Sequence, residues 1–165
     1  MTIQNFDLYT KRGYAGELVD SGPRVVQTGI VTDANDAASG YALDFGVAVS
    51  RHATIERGIQ AGSAANVFAI TQREYNHEAN SIPSDGTDTG YKSTYSASLI
   101  RQGYLYVEVT DTAVAVGEAL SVDTVTGAFA GGGITSGNFV VTSNVISDQA
   151  GAVGEVVKVR LDIVA

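Results

Sequence analysis

Two stretches decide the fold: Tyr104-Leu105-Tyr106-Val107-Glu108-Val109 and Val157-Lys158-Val159-Arg160-Leu161-Asp162-Ile163. In each, every second residue is aliphatic, and the residues between are tyrosine or charged. A period of two sends alternate side chains to opposite faces of an extended chain, so each stretch reads as a strand with one dry and one wet face. Slipping either by one residue would turn its dry face to water, which fixes its register. A third stretch reads the same way, with Tyr41, Leu43, Phe45, Val47 and Val49 alternating with Ala42, Asp44, Gly46, Ala48 and Ser50.

Further strands are expected at Arg24 to Thr32, Val67 to Thr71, Tyr95 to Ile100, Gly117 to Val122 and Phe139 to Val145. Between Leu120-Ser121-Val122 and Ala128-Phe129, the run Asp123-Thr124-Val125-Thr126-Gly127 reads as a hairpin loop that Gly127 closes in the left-handed conformation. No long stretch carries an apolar stripe at helical spacing, and Ala61 to Ala65 could form only a short turn of helix. Nineteen glycines against two prolines and one methionine suit many tight turns. The expected fold is all-β: one domain, a β-sandwich or small β-barrel. No repeat of fixed period is evident.

Two segments break the strand rhythm. Residues 1–23 scatter Ile3, Phe6, Leu8, Tyr9, Tyr14, Leu18 and Val19 among glycines without a period. They read as an extended N-terminal arm that fully stretched spans about 75 Å, enough either to dock on a neighbour or to wrap its own body. The body is then residues 24–165, interrupted by a polar loop at 76–91 that is long for a compact domain.

The composition excludes several kinds of chemistry. There is no cysteine, so disulfides, thiolate metal sites and cysteine nucleophiles are absent together. The formal charge of -8 argues against a grip on nucleic acid, which depends on neutralising phosphates. Neither a secretion signal nor a membrane span is expected from the sequence. His52 and His77 are the only histidines; His77 beside Glu78 would need a bend to act together. Asp33, Asp36, Asp85 and Asp88 lack the ligand order of a calcium loop, and Gly131-Gly132-Gly133 lacks the Lys-Ser or Lys-Thr of a phosphate loop. No catalytic residue, cofactor site or metal site is expected. What remains is eight tyrosines with no tryptophan, of which Tyr91, Tyr95, Tyr104 and Tyr106 lie close in sequence. Tyrosine joins apolar area to a polar tip and serves both at interfaces and in cross-strand pairs.

The order of short motifs along the chain resembles the structural cement, or head decoration, proteins of tailed phages. Gly13-Tyr14-Ala15-Gly16-Glu17-Leu18-Val19-Asp20 is similar to the family's arm motif, and Phe45-Gly46-Val47-Ala48-Val49 to a glycine-containing strand that enters the body. Arg101-Gln102-Gly103-Tyr104-Leu105-Tyr106-Val107-Glu108-Val109 resembles its Gly-aromatic strand, followed by Val114 to Leu120, then Thr126-Gly127-Ala128-Phe129, and a closing strand at Val156 to Leu161. Ser136 to Ala152 departs from the pattern, being longer and more polar than the tight turn it replaces.

The resemblance implies a non-enzymatic protein on the outer surface of the assembled capsid, made in the host cytoplasm. It would bridge neighbouring major capsid proteins and associate with itself, as a homotrimer in preference to a dimer, with neither nucleic acid nor membrane as partner. The residues expected to carry assembly are Phe6, Leu8, Tyr14 and Leu18 in the arm, with Tyr104 and Tyr106 as a second patch. The competing expectation is a tail- or fibre-associated receptor-binding module working through the 76–91 loop.

Overall fold

The computed structural model describes residues 13–19, 22–32, 41–73, 90–134 and 137–162. Among these there is no helix. The strands are β1 (Val25–Val31), β2 (Leu43–Asp44), β3 (Ala48–Arg51), β4 (Gly58–Ala61), β5 (Ala69–Thr71), β6 (Gly90–Tyr91), β7 (Ser96–Glu108), β8 (Ala119–Asp123), β9 (Phe129–Ala130), β10 (Phe139–Ser147) and β11 (Val156–Leu161).

The thirteen residues of β7 organise everything else. Its first half pairs with β1 and β5, and the order β1-β4-β3-β5-β7 returns to β1, so five strands close into a small barrel. Its second half pairs with β11 and continues the order β11-β10-β8-β9. This second sheet curls until Phe129 reaches Val109 through a single parallel bridge. β2 and β6 form a separate two-stranded ribbon, Leu43 opposite Tyr91.

One extra residue lets β7 serve both halves. Against β1 the register steps from Val25 opposite Gln102 to Val26 opposite Ile100, leaving Arg101 as a bulge. Before the bulge, Ala97 and Leu99 point into the barrel with Val31, Val49, Ile59 and Ala69. After it, Leu105 and Val107 share a second core with Ile100, although the parity of their numbers differs. Without the bulge, Leu105 and Ile100 would lie on opposite faces.

The long alternation at Tyr41 to Ser50 is not one strand. It breaks at Phe45-Gly46 into β2 and β3, and buried Thr71 holds the break together. The Thr71 hydroxyl donates to the Asp44 carbonyl (2.8 Å) and accepts the Val47 N–H (3.0 Å), while its carbonyl accepts the Gly46 N–H (3.0 Å). Beyond the break the alternation fails for a packing reason. The pairs Ala48-Val49, Ala69-Ile70 and Leu99-Ile100 are all fully buried, one residue facing the barrel interior and its neighbour the second sheet.

No turn of helix forms at Ala61 to Ala65. Ala61 ends β4, and the following loop is tied to the second sheet through Asn144. The Asn144 amide accepts the Val67 N–H (2.9 Å) and donates to the carbonyls of Val67 (2.8 Å) and Asp162 (3.0 Å) while 4% exposed. The Gly127 hairpin forms as expected, with φ of 75°. A β-carbon there would lie 2.1 Å from the Ala48 carbonyl, so the glycine is also where the two halves touch.

The sequence does hold a repeat, too short to show as a period. Ala115-Val116-Gly117-Glu118 and Ala152-Val153-Gly154-Glu155 are the same tetrapeptide. In each turn the glycine has positive φ (79° and 82°), and the glutamate carboxylate accepts the alanine N–H, at 2.7 and 2.8 Å. Gly117 donates to Ser147, which donates back to Glu118; Gly154 donates to Val109, which donates back to Glu155. Val114 and Gly151, each just before its tetrapeptide, exchange two hydrogen bonds (2.9 and 3.0 Å). An antiparallel pair of equivalent residues lies on a local two-fold axis. The units β7–turn–β8 and β10–turn–β11 are thus built alike.

Candidate functional site

The second half of β7 has β11 on one side. On the other, residues 16–19 lie alongside it as an added edge. Gly16 donates to the Tyr106 carbonyl (2.7 Å), Tyr106 donates to Glu17 (3.0 Å), Val19 donates to Tyr104 (3.1 Å), and Leu18 sits opposite Leu105 in an antiparallel bridge. The side chain of Leu18 packs on the second core. This described part of the arm therefore follows its own body.

The arm enters through a turn of the kind already met. In Tyr14-Ala15-Gly16-Glu17 the Glu17 carboxylate accepts the Tyr14 N–H (2.9 Å), and Gly16 has φ of 78°. Gly16 is also wedged against the body: its carbonyl accepts the Arg73 N–H (2.7 Å), and a β-carbon on it would meet Arg73, Gly46 and Thr71 backbone atoms at 2.8 to 2.9 Å. Gly46 faces it with equal closeness, a β-carbon there lying 2.6 Å from the Gly16 nitrogen. Two glycines are needed for two backbones to approach so nearly.

Aromatic rings and one cation close the seam. The Arg73 guanidinium lies 4.8 Å from the Tyr14 ring centroid and 5.3 Å from that of Phe45, and Phe45 meets Tyr91 edge-to-face at 5.0 Å. A guanidinium close to two rings gains electrostatically from both. Below lies a cavity of ≈ 500 Å³ bordered by Tyr14, Phe45, Arg73, Glu108 and Phe129.

Of the residues expected to carry assembly, Tyr14, Leu18, Tyr104 and Tyr106 come together at this seam. Tyr104 and Tyr106 are half-buried and serve as a platform: a β-carbon on Gly13 would strike the Tyr106 ring, and Gly22 lies over Tyr104. Lys158 stacks on Tyr104 at 4.6 Å, and the Asp162 carboxylate, 3.0 Å from Arg160, raises that guanidinium's pKa, helped by Tyr104. Phe6 and Leu8 lie outside the described residues, as does nearly all of the 76–91 loop with His77, Asp85 and Asp88. His52 caps a hairpin, its Nδ1 accepting the N–H groups of Thr54 (3.3 Å) and Ile55 (3.2 Å). Among the described residues no three histidine or carboxylate side chains converge as metal ligands. The sequence reading missed Arg73, Gly46 and Thr71 as partners of the arm; Gly16 and Gly46 stand in separate motifs, and no local pattern links them.

The three motifs that meet here, from the arm, from Phe45 to Val49 and from β7, are among those that carried the resemblance to phage cement proteins. A scan against family models matches residues 3–162 to the structural cement protein family (E217 gp24/Pam3 gp6). The chain belongs to the structural cement protein family. It is a phage capsid structural protein, a component of the virion that associates with capsid proteins. No curated protein matches the chain by sequence. Among solved structures, this cement protein is similar to a chain of the capsid of Myoviridae phage XM1, with a TM-score of 0.66 at 17% identity over 98% of both chains. That likeness extends to the whole all-β fold, including the barrel and its second sheet.

Proposed function

We propose that this cement protein binds the outer surface of the assembled phage head and bridges neighbouring major capsid proteins, with its N-terminal arm as the connecting element. The supporting observation is the seam: residues 13–19 are fastened to β7 by backbone pairing, two opposed glycines and the Arg73 stack. An anchored stem gives the preceding segment a fixed origin. Twelve residues, among them Phe6 and Leu8, precede it, and at full extension that length covers about 40 Å. Strand addition at a sheet edge of a capsid subunit would use main-chain hydrogen bonds and need no deep pocket. Catalysis has no place in this reading.

Two truncations test it on purified, undecorated heads. Removing residues 1–12 keeps the seam and should leave the melting temperature nearly unchanged while abolishing binding to heads. Removing residues 1–22 also strips Leu18 from the core and exposes the β7 edge, so stability should fall as well, by about 2–3 kcal/mol for the lost apolar burial. Full decoration by the shorter truncation would sink the arm as the bridge. No described feature favours a tail or fibre receptor-binding role.

A further inference from the structure

One end of the five-stranded barrel is ringed by arginines. The registers fix which residues share that end. Moving from Leu99 to Arg101 on β7 corresponds to moving from Ala69 to Phe68 at the start of β5, from Val49 to Arg51 on β3, from Ile59 to Arg57 at the start of β4, and from Gly29 to Gln27 and Val25 on β1. A cavity of ≈ 460 Å³ opens there, bordered by Gln27, Leu99, Phe68, Arg51 and the whole of loop 52–57. The loop is fastened to the barrel wall: the Ile55 carbonyl accepts the Gly58 N–H and the Arg57 carbonyl accepts the Ile30 N–H, both at 2.9 Å.

The charge at this mouth runs against that of the chain. Three of the ten lysines and arginines of a protein with formal charge -8 stand here, Arg51, Arg57 and Arg101. The guanidiniums of Arg51 and Arg101 lie 4.6 and 4.7 Å from the ring centroid of the same residue, Phe68, which packs on the barrel core. Among the described residues none of the three arginines is ion-paired. Glu56 is the one carboxylate that borders the cavity, and Asp162, next to the Leu161 that pairs with Gly103, is held by Arg160 at 3.0 Å. The Arg101 Nε is buried with no hydrogen-bond partner, although a guanidinium ordinarily places its N–H groups on a carboxylate. Ile55 on the loop and Val25 at the start of β1 are exposed beside these charges.

We infer that the mouth of the barrel receives an acidic side chain, an aspartate or glutamate, from a segment of a capsid subunit. Charge complementarity selects the carboxylate: clustered arginines recognise acidic motifs through charge-assisted hydrogen bonds, and a loop already held in shape loses little freedom in doing so. A free ion would leave Ile55 and Val25 in water, whereas a peptide segment covers them while its carboxylate enters the cavity. A nucleic-acid backbone, charged along its whole length, is repelled by the acidic remainder of the protein. The inference rests on the proposed binding to heads and deepens it. A bridge needs two attachments; the arm supplies one, and the barrel mouth is the other.

The test uses the full chain, arm included, on purified undecorated heads. In Arg51→Gln/Arg57→Gln both changes fall at exposed positions, and a circular dichroism melt that matches wild type confirms the fold. Wild-type affinity for heads should fall from about 50 mM to about 500 mM salt as charges are screened. The variant should bind about tenfold more weakly at the lower salt and lose most of that salt dependence. In a second measurement, Ile55 is replaced by a photo-cross-linking amino acid and decorated heads are irradiated; the mouth should be joined to a capsid-protein peptide that contains Asp or Glu. A variant that binds as wild type does overturns the inference, as does a cross-link to a peptide without an acidic residue. Succinate, followed through the amide resonances of Gln27 and Arg57, distinguishes a free ion as the source: saturation below about 1 mM would assign the mouth to it and overturn the capsid source. Wild type that does not bind heads overturns the cement reading as well, whereas heads bound equally with and without the two arginines overturn this inference alone.

Discussion

Gly16 and Gly117 share nearly the same backbone angle, 78° and 79°, yet their surroundings differ completely. A β-carbon on Gly117 meets nothing within 4 Å, whereas one on Gly16 meets three backbone atoms below 3 Å. Gly117→Ala therefore carries only the left-handed penalty, about 1 kcal/mol. Gly16→Ala adds a clash that no rotamer change relieves, for a total of about 2–4 kcal/mol, and should lift the arm from β7. Denaturant melts should separate the two variants, and amide exchange at Tyr106 and Val19 should quicken in Gly16→Ala alone. Equal losses would mean that the close approach at Gly16 contributes nothing. In the sequence both positions read simply as turn glycines. The difference depends on Gly46 and Arg73, which lie far along the chain, so no local pattern could have revealed it.

Strands with one wet face were legible; strands buried on both faces were not. β11 and the second half of β7 alternate in burial as in hydropathy, because one side meets water. β3 and β5 lie between the barrel interior and the second sheet, so Ala48-Val49 and Ala69-Ile70 carry no alternation to read. β4, only Gly58–Ala61, is too short to show any period. The joining of two expected strands into one β7 depends on the Arg101 bulge, which becomes visible only once β1 is paired with it. Deleting Arg101 would shift Leu105 and Val107 to the outer face or force β1 and β5 out of register. The expected outcome is loss of the cooperative transition and of dispersed amide resonances. An Arg101→Ala substitution retains the residue count and should remain folded, with a smaller loss from its stack on Phe68 (4.7 Å). A folded, dispersed deletion variant would show that the bulge does not set the phase.

The barrel and the second sheet have separate cores but one shared strand, and Asn144 ties the 62–67 loop across the join. Neither half should unfold alone. Heating should give one transition whose calorimetric and van't Hoff enthalpies agree. Asn144→Ala would strand the N–H and carbonyl of Val67, at about 1–3 kcal/mol for each buried group left unpaired, and should lower stability by about 3 kcal/mol. Two transitions in the wild type would show the halves to be independent. At this scale the sequence conveyed the fold class and the acidic balance. It did not convey how the halves join, because that rests on Asn144 and Gly127, a polar residue in a polar run and one turn glycine among many.

The arm strip along β7 has a further consequence for life in solution. Strands β1, β4, β3, β5 and β7 form a ring, and the second sheet returns to β7 at Phe129, so the long strand would be left with one raw flank if residues 16–19 were absent. A raw flank of unpaired amides templates fibrils, and more so as concentration climbs. With residues 16–19 in place that edge stays paired, so a partner that took up residues 1–12 would uncover no adhesive edge behind them.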